Sequence, residues 1–440
     1  YAWRNNNPNV GTLAGNGGSI SMQVKNTTAV SQTGQFVVTP TYQGCTGRKD
    51  TFLVRVNCST MSGGVLWHET GAAVSGVTMT MTGDASDTRT TGSNGRYGFN
   101  QKNGGTFTIR PTRNQSFAST ADLNAFGVNA ADLAALQAHL NGSASLTGMR
   151  LISADINVTN SVNSTDVSIL SSALGGNASA RNFFNTNTWR FCDSVHVFLN
   201  PSSPWGWPQA KTYNNVNGVF NRTSFRATKK GDVSQSNSRP DSDPVSLMIP
   251  GGVPEYDRET EVVLTLSGLR DMRALQAALQ FDPEILELTG ISTEKSAVGL
   301  TEEGVGLYDS RAGVIRLVWA AAEPVSVPDG SELVRLRFRA LKHTNTPVSD
   351  LLTLIEESDL TPAAYDADYA EVALQVVESE KNNHLVERNN TASALQVLSA
   401  APNPFSEHTA VRFMMPESGV FTVNLYSADG RLIWSHSRHQ

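Results

Sequence analysis

Twelve residues, Asp155 to Asp166, read Asp-Ile-Asn-Val-Thr-Asn-Ser-Val-Asn-Ser-Thr-Asp. Asp155, Asn157, Thr159, Ser161, Asn163 and Asp166 set oxygen-bearing side chains at positions one, three, five, seven, nine and twelve. A tightly wound loop with that rhythm gathers six or more oxygens around a hard cation such as Ca²⁺. Behind it, Val167, Leu170 and Leu174 share one helical face, and Gly175-Gly176 ends the helix. The unit has an earlier counterpart. Asp132 stands where Asp166 does, followed by Leu133, Leu136 and Leu140 and then Asn141-Gly142.

Two such loop–helix units resemble a dockerin module, the calcium-dependent plug of extracellular protein assemblies. The loops are unequal. Loop two has two carboxylates, Asp155 and Asp166, and neutral ligands at Asn157, Thr159 and Asn163. Loop one begins at Ala121, which cannot bind metal; its candidates are Asp122, Asn124, Asn129, Asp132 and the Gly127 carbonyl. Dockerins carry glycine at position six, where this chain has Asn160, the residue next most tolerant of the left-handed backbone. So few charges predict weak binding, suited to millimolar extracellular calcium. The alternative is a helical hairpin with Asp N-caps and no metal.

The chain has 440 residues, room for three or four domains. Only 17% are charged, below the usual quarter or so, and Asn, Ser, Thr and Gly fill the space, as in secreted arrays of turn-rich β-sandwiches. A net charge of −6 argues against nucleic acid as a partner. No apolar run approaches the roughly 20 residues needed to span a bilayer. Tyr1 is no initiator Met, so a start processed away or lying upstream is expected. Cys45, Cys58 and Cys192 form neither a disulfide framework nor a zinc spacing.

In chain order, residues 1–58 read as short strands at Ser19–Val24, Thr33–Pro40 and Thr51–Val56. The phrases "YAWRNNNPNVG", "TPTYQGCTG" and "DTFLVRVN" resemble the second half of a polycystic-kidney-disease-like sandwich. A half sandwich leaves a sheet edge and an apolar face open, to be completed upstream or by another chain. Residues 61–115 alternate at Val77–Thr82, Asp87–Thr91, Tyr97–Phe99 and Thr106–Pro111, with Ser93-Asn94-Gly95 as a hairpin turn. They resemble a carboxypeptidase-regulatory-like, transthyretin-like spacer. Trp67, Tyr97 and Phe99 are then core, and His68 with Glu69 is a surface pair.

Residues 116–233 hold the dockerin-like unit and an aromatic extension. His139 is expected on the solvated side of its helix. "NTNTWRFCDSVHVFLNPSSPWGWPQ" and "SFRATKKGDVSQSN" resemble the extension that follows dockerin-like pairs in surface proteins exported by type IX secretion. Trp189, Trp205 and Trp207 either stack sugars or clamp the extension onto the helices, the second being favoured. Residues 234–244 are a polar linker. Residues 245–376, with "RALQAALQFDPEILELTGI", "GVIRLVWA" and "AYDADYAEVAL", resemble a cohesin-like sandwich. Arg335, Arg337 and Arg339 share one strand face, read as solvated. After a charged linker at 377–395, residues 396–440 resemble part of a type IX secretion sorting domain, with "APNPF" and "LYSADGRLIW".

No His-Glu-x-x-His, Gly-x-Ser-x-Gly or Walker loop is present. Asp193-Ser194-Val195 fits a bacterial O-glycosylation pattern at Ser194. The expectation is a mostly β protein, a string of small β-sandwiches with one α-helical module. It is non-catalytic, secreted to the cell surface, and joined to copies of itself or to other modular surface proteins. Plug and socket on one chain, with an incomplete first sandwich, suggest a fibre built head to tail or by a donated strand. Rival readings are the accessory and sorting tail of a secreted hydrolase, and a glycan-binding surface protein.

Overall fold

The computed structural model describes residues 1–20, 22–234, 243–355 and 359–379, and beyond these only four strands between residues 396 and 439. Most of the two linkers and much of the 396–440 segment therefore lie outside the described residues. The protein is mostly β, with several sheets around one helical insert.

The first sheet is antiparallel throughout, in the order Ala14–Asn16, Ala2–Asn5, Gln32–Thr39, Asp50–Val56. Its small core is Trp3, Val10 and Phe36. Ser19–Val24 forms no strand among its described residues. Ile20 and Met22 still pack on that core, so burial there is supplied by side chains without a ladder. Asn26 is fully buried and its Nδ2 donates to the Val30 and Val56 carbonyls.

A second sandwich joins segments far apart in the chain. One sheet runs Arg96–Gln101, Ser59–Trp67, Phe225–Lys229, Trp189–Asp193; the facing one runs Lys211–Val216, Gly105–Thr112, Thr78–Gly83, Asp87–Thr90. The segments read as 61–115 and 116–233 thus share both sheets, and the helices are inserted between them. Met61, Met79, Met81, Phe99, Phe107 and Ile109 are fully buried between the layers. The Ser93-Asn94-Gly95 turn does not make a hairpin within one sheet: Asp87–Thr90 and Arg96–Gln101, on either side of it, belong to different sheets.

The insert is five helices: α1 (Thr120–Ala125), α2 (Ala130–Asn141), α3 (Gly148–Ala154), α4 (Ser164–Leu174) and α5 (Ala178–Asn182). Ser119, Asn129 and Asn163 cap α1, α2 and α4, each in a reciprocal capping box with the Asp three residues on. Each box satisfies amides that a helix start leaves open.

The last large unit is a two-faced sandwich. Its strands order as Leu286–Ser292, Ser331–Ala340, Glu259–Ser267, Val245–Pro250, Glu371–Ser379, Ala363–Asp366, Met272–Gln280, Val314–Val325, Val305–Gly306. Val245–Pro250 and Glu371–Ser379 pair in parallel; the other pairs are antiparallel. Arg335 is held by Glu332 and Glu261, and Arg339 by Glu287. Those arginines are spent on their own sandwich.

Candidate metal centre and docking face

The strand Met272–Gln280 is apolar on both sides, and the structure shows why. Leu275, Ala277 and Leu279 enter the core of the sandwich, whereas Ala274 and Ala278 enter the core built on the helices. The same split divides Leu317 and Trp319 from Val318, and Ala364 from Ala363 and Tyr365. Strands buried on both faces lose their polar alternation. What covers the outer face is α2, so the helical insert docks on the sandwich within one chain.

Small residues make that approach possible. Ala130, Ala131, Ala134, Ala135 and Ala138 of α2 are buried. At the end of α4, Gly175 meets Gly306 so closely that a Cβ on Gly306 would lie 2.1 Å from the Gly175 carbonyl oxygen. The polar centre of the contact is Gln276, fully buried. Its Oε1 accepts from the Ala130 amide at 2.8 Å, and its Nε2 donates to Asn124 Oδ1 at 2.9 Å and the Thr361 carbonyl at 2.8 Å. Asn124 Nδ2 donates to Thr361 Oγ1, and Asn177 Nδ2 to the Tyr308 hydroxyl. Leu140 is exposed at the helix end, and His139 is half-buried, not solvated. His139 Nδ1 accepts from the Leu146 amide.

Loop two winds as its spacing predicts. Asp155 is fully buried; its two oxygens accept from the Thr159 amide at 2.9 Å and the Asn160 amide at 3.0 Å. Asp166 takes the Ile156 and Asn157 amides on one oxygen and Asn163 on the other. Val158 and Asn160 both sit at left-handed φ, 63° and 59°. Thr159 Oγ1 lies 2.8 Å from Asn157 Oδ1, 3.0 Å from Ser161 Oγ and 3.4 Å from the Ser161 carbonyl. Asn163, besides capping α4, donates its Nδ2 to Ser161 Oγ. Burial, and to a smaller degree the Asp155 charge, raise the Asp166 carboxyl against the pull of its amide donors. Two carboxylates beside a knot of neutral oxygens suit a hard cation. Among the described residues no three His, Cys, Asp or Glu side chains converge, so such a cation relies on amide, hydroxyl and carbonyl oxygen.

In loop one the candidate oxygens are tied to amides both near and distant in the chain. Asp122 accepts the Ala118 and Ser119 amides as the cap of α1. Asn129 Oδ1 accepts the Ala131 amide. Asp132 is fully buried: Oδ1 accepts from the Val233 amide, the Ser234 amide and the Ser234 hydroxyl, and Oδ2 from the Asn129 amide. Burial first, then the Asp232 carboxylate, push the Asp132 carboxyl upward. An ammonium stands beside the loop. Lys229 Nζ donates to the Phe126 carbonyl, lies 3.5 Å from Asp232, and faces the rings of Phe126, Trp67 and Trp189 at 4.9, 5.5 and 5.9 Å. The turn that delivers these groups needs Gly231, at φ +86°, where a Cβ would strike Phe184. Next to it Lys230 is fully buried, donates to the Phe183 carbonyl, and is lowered to about 7 by burial and by Arg190.

The tryptophans of the extension are structural. Trp189 and Trp207 are each 9% exposed. The Trp189 ring meets Trp67 and Phe126 edge-on, and Trp207 Nε1 donates to the Phe191 carbonyl. Trp205 is partly buried against the small cluster of Met149, Ile152, Cys192 and Trp207. Ser194 is half-buried, and its carbonyl accepts from Arg226. All three cysteines are free thiols, and burial raises that of Cys192 to about 11. His68 is not the surface residue expected. Its side chain is 9% exposed, and burial, then Arg150 and Arg226, hold it near 4.

Comparison with known proteins gives one family match: the Dockerin type I domain, over residues 120–175. No curated protein matches the chain. Among solved structures, a novel type I cohesin–dockerin complex, Coh-OlpA-Doc918 from Clostridium thermocellum, is 12% identical, covering 31% of this chain and 95% of that one at a TM-score of 0.25. A non-cellulosomal cohesin from the archaeon Archaeoglobus fulgidus is 16% identical over 31% of this chain and 88% of its own, at 0.23. A type II cohesin module of the ScaA scaffoldin of Acetivibrio cellulolyticus is 10% identical, over 32% and 88%, at 0.24. No helix among the described residues is long and apolar enough to cross a membrane.

Proposed function

We propose that this is a non-catalytic extracellular structural protein, a fibre subunit whose plug and socket are already mated inside each chain. The docked helices make the 59–234 and 245–379 units one clamp, held at its centre by Gln276. Loop two takes calcium through Asp155, Asn157, Thr159, Ser161 and Asp166; loop one takes none. With the α2 face consumed internally, joining one copy to the next falls to a donated strand.

The observation that supports this most is the outer edge of the first sheet. Asp50–Val56 pairs only with Gln32–Thr39 among the described residues, and Phe52 and Leu53 on it are 41% and 68% exposed. An edge that is apolar at Phe52, Leu53 and Val54, and charged only at Asp50 and Arg55, invites a further strand there. Negative-stain microscopy of the purified protein with calcium should show filaments, and Leu53→Lys should shorten or abolish them without unfolding the chain. Wild-type protein that stays monomeric at high concentration would overturn the fibre reading. Export by the type IX route rests on the resemblances of the extension and the C-terminal segment.

A further inference from the structure

A pocket on the flank of the helical insert has no part in that scaffold role. It is a cavity of about 320 Å³, open to solvent, between the end of strand Ser59–Trp67, the start of α3 and the loop after Trp189–Asp193. That volume is near the lower bound of small-ligand sites, about 300 Å³, room for one ring-sized group. His68 lies in its wall with the backbone fixed by a hydrogen bond to the Ala227 carbonyl. Its Nε2 is buried and has no hydrogen-bond partner; Glu69 Oε1 lies 3.4 Å away but out of hydrogen-bond geometry. A buried ring nitrogen without a partner costs free energy unless something else binds it.

The charges around it are divided. Arg150 is turned inward, donating to the Val233 carbonyl and lying 3.4 Å from Glu69, which it neutralises. Arg226 stands exposed at the rim with one nitrogen on the Ser194 carbonyl, leaving further donors for a ligand. Phe198 supplies a flat wall, seated over Gly148. The site therefore presents donors for an oxyanion, a carboxylate that accepts from a hydroxyl, and an aromatic face. Inorganic phosphate or sulfate would use only the first of these.

We propose that the pocket binds a uronic-acid residue of an extracellular polysaccharide. The sugar carboxylate sits on Arg226, a ring hydroxyl donates to Glu69, and the ring lies against Phe198, with the His68 imidazole in the wall beside them as a reporter.

The test is NMR titration of the full chain with D-glucuronate, D-glucose and acetate, following the His68 imidazole. D-glucuronate should shift that resonance and saturate, while glucose and acetate bind at least about tenfold more weakly, a difference near 1.4 kcal/mol. Arg226→Ala should weaken D-glucuronate roughly tenfold with an unchanged thermal midpoint, since the residue is exposed. Glu69→Gln should reduce the preference for D-glucuronate over acetate. Acetate binding as tightly as D-glucuronate would reduce the pocket to a plain anion site and overturn the proposal, as would no shift with D-glucuronate. Neither result bears on whether the chain forms fibres.

Discussion

The two loops of the helical insert share an Asn and an Asp, Asn129 with Asp132 and Asn163 with Asp166, and differ in what closes them. Loop two folds on itself: Asp155 and Asp166 bind amides from within the same twelve residues. Loop one is closed by distant chain, since the turn at Gly231–Ser234 brings two amides and a hydroxyl to Asp132. Lys229 supplies a fixed positive charge next to it. On the reading proposed above, a cation brought by the solvent to loop two and a cation brought by the chain to loop one solve one electrostatic problem. The first would make its loop depend on calcium; the second ties the helices to the second sandwich, because Lys229 ends its strand Phe225–Lys229.

The largest break in this comparison comes from Asp132→Ala. It strands buried amides of Asn129, Val233 and Ser234 together, and should destabilise the chain by about 3 kcal/mol. Denaturant titration checks this, and a loss below about 1 kcal/mol would mean that the turn is not what closes loop one. Calcium removal should touch only loop two. At calcium tenfold above its dissociation constant, the ion stabilises by about 1.4 kcal/mol. Chelation should then release the Thr159 and Asn160 amides to hydrogen exchange and leave Val233 and Ser234 protected; equal release at both loops would sink the distinction. Val158→Gly should have the smallest effect. A β-branched residue at φ 63° is strained, and glycine there should gain about 0.5 kcal/mol after its own entropy cost. Thermal unfolding without calcium reads that difference most directly.

Short-range information carried well. The oxygen rhythm from Asp155 to Asp166 and most strands of the 245–379 unit follow from residues near one another in sequence; the caps expected at Asp are instead Ser119, Asn129 and Asn163, with each Asp three residues on. The run Arg273-Ala274-Leu275-Gln276-Ala277-Ala278-Leu279 held a further clue. A strand with small apolar residues on both faces needs a partner on both, and a glutamine in its middle needs a polar one. Neither fact says which element that partner is. The buried His68 gave no local sign, because its burial comes from α3 and from the Phe225–Lys229 strand.

Sequence alone determined much of the local winding: that helices run through Leu133–Leu140 and Val167–Leu174, that the Asp155–Asp166 loop is oxygen-rich, and which strands alternate. Tertiary structure alone decided that the helical insert lies on its own chain's sandwich, that the aromatic extension completes an earlier one, and that a lysine and a turn seal loop one. Winding is governed by torsions and by hydrogen bonds a few residues apart, which neighbouring side chains specify. Docking depends on shape and unsatisfied polar groups meeting across a hundred residues or more, and no periodicity along the chain records which surfaces will meet.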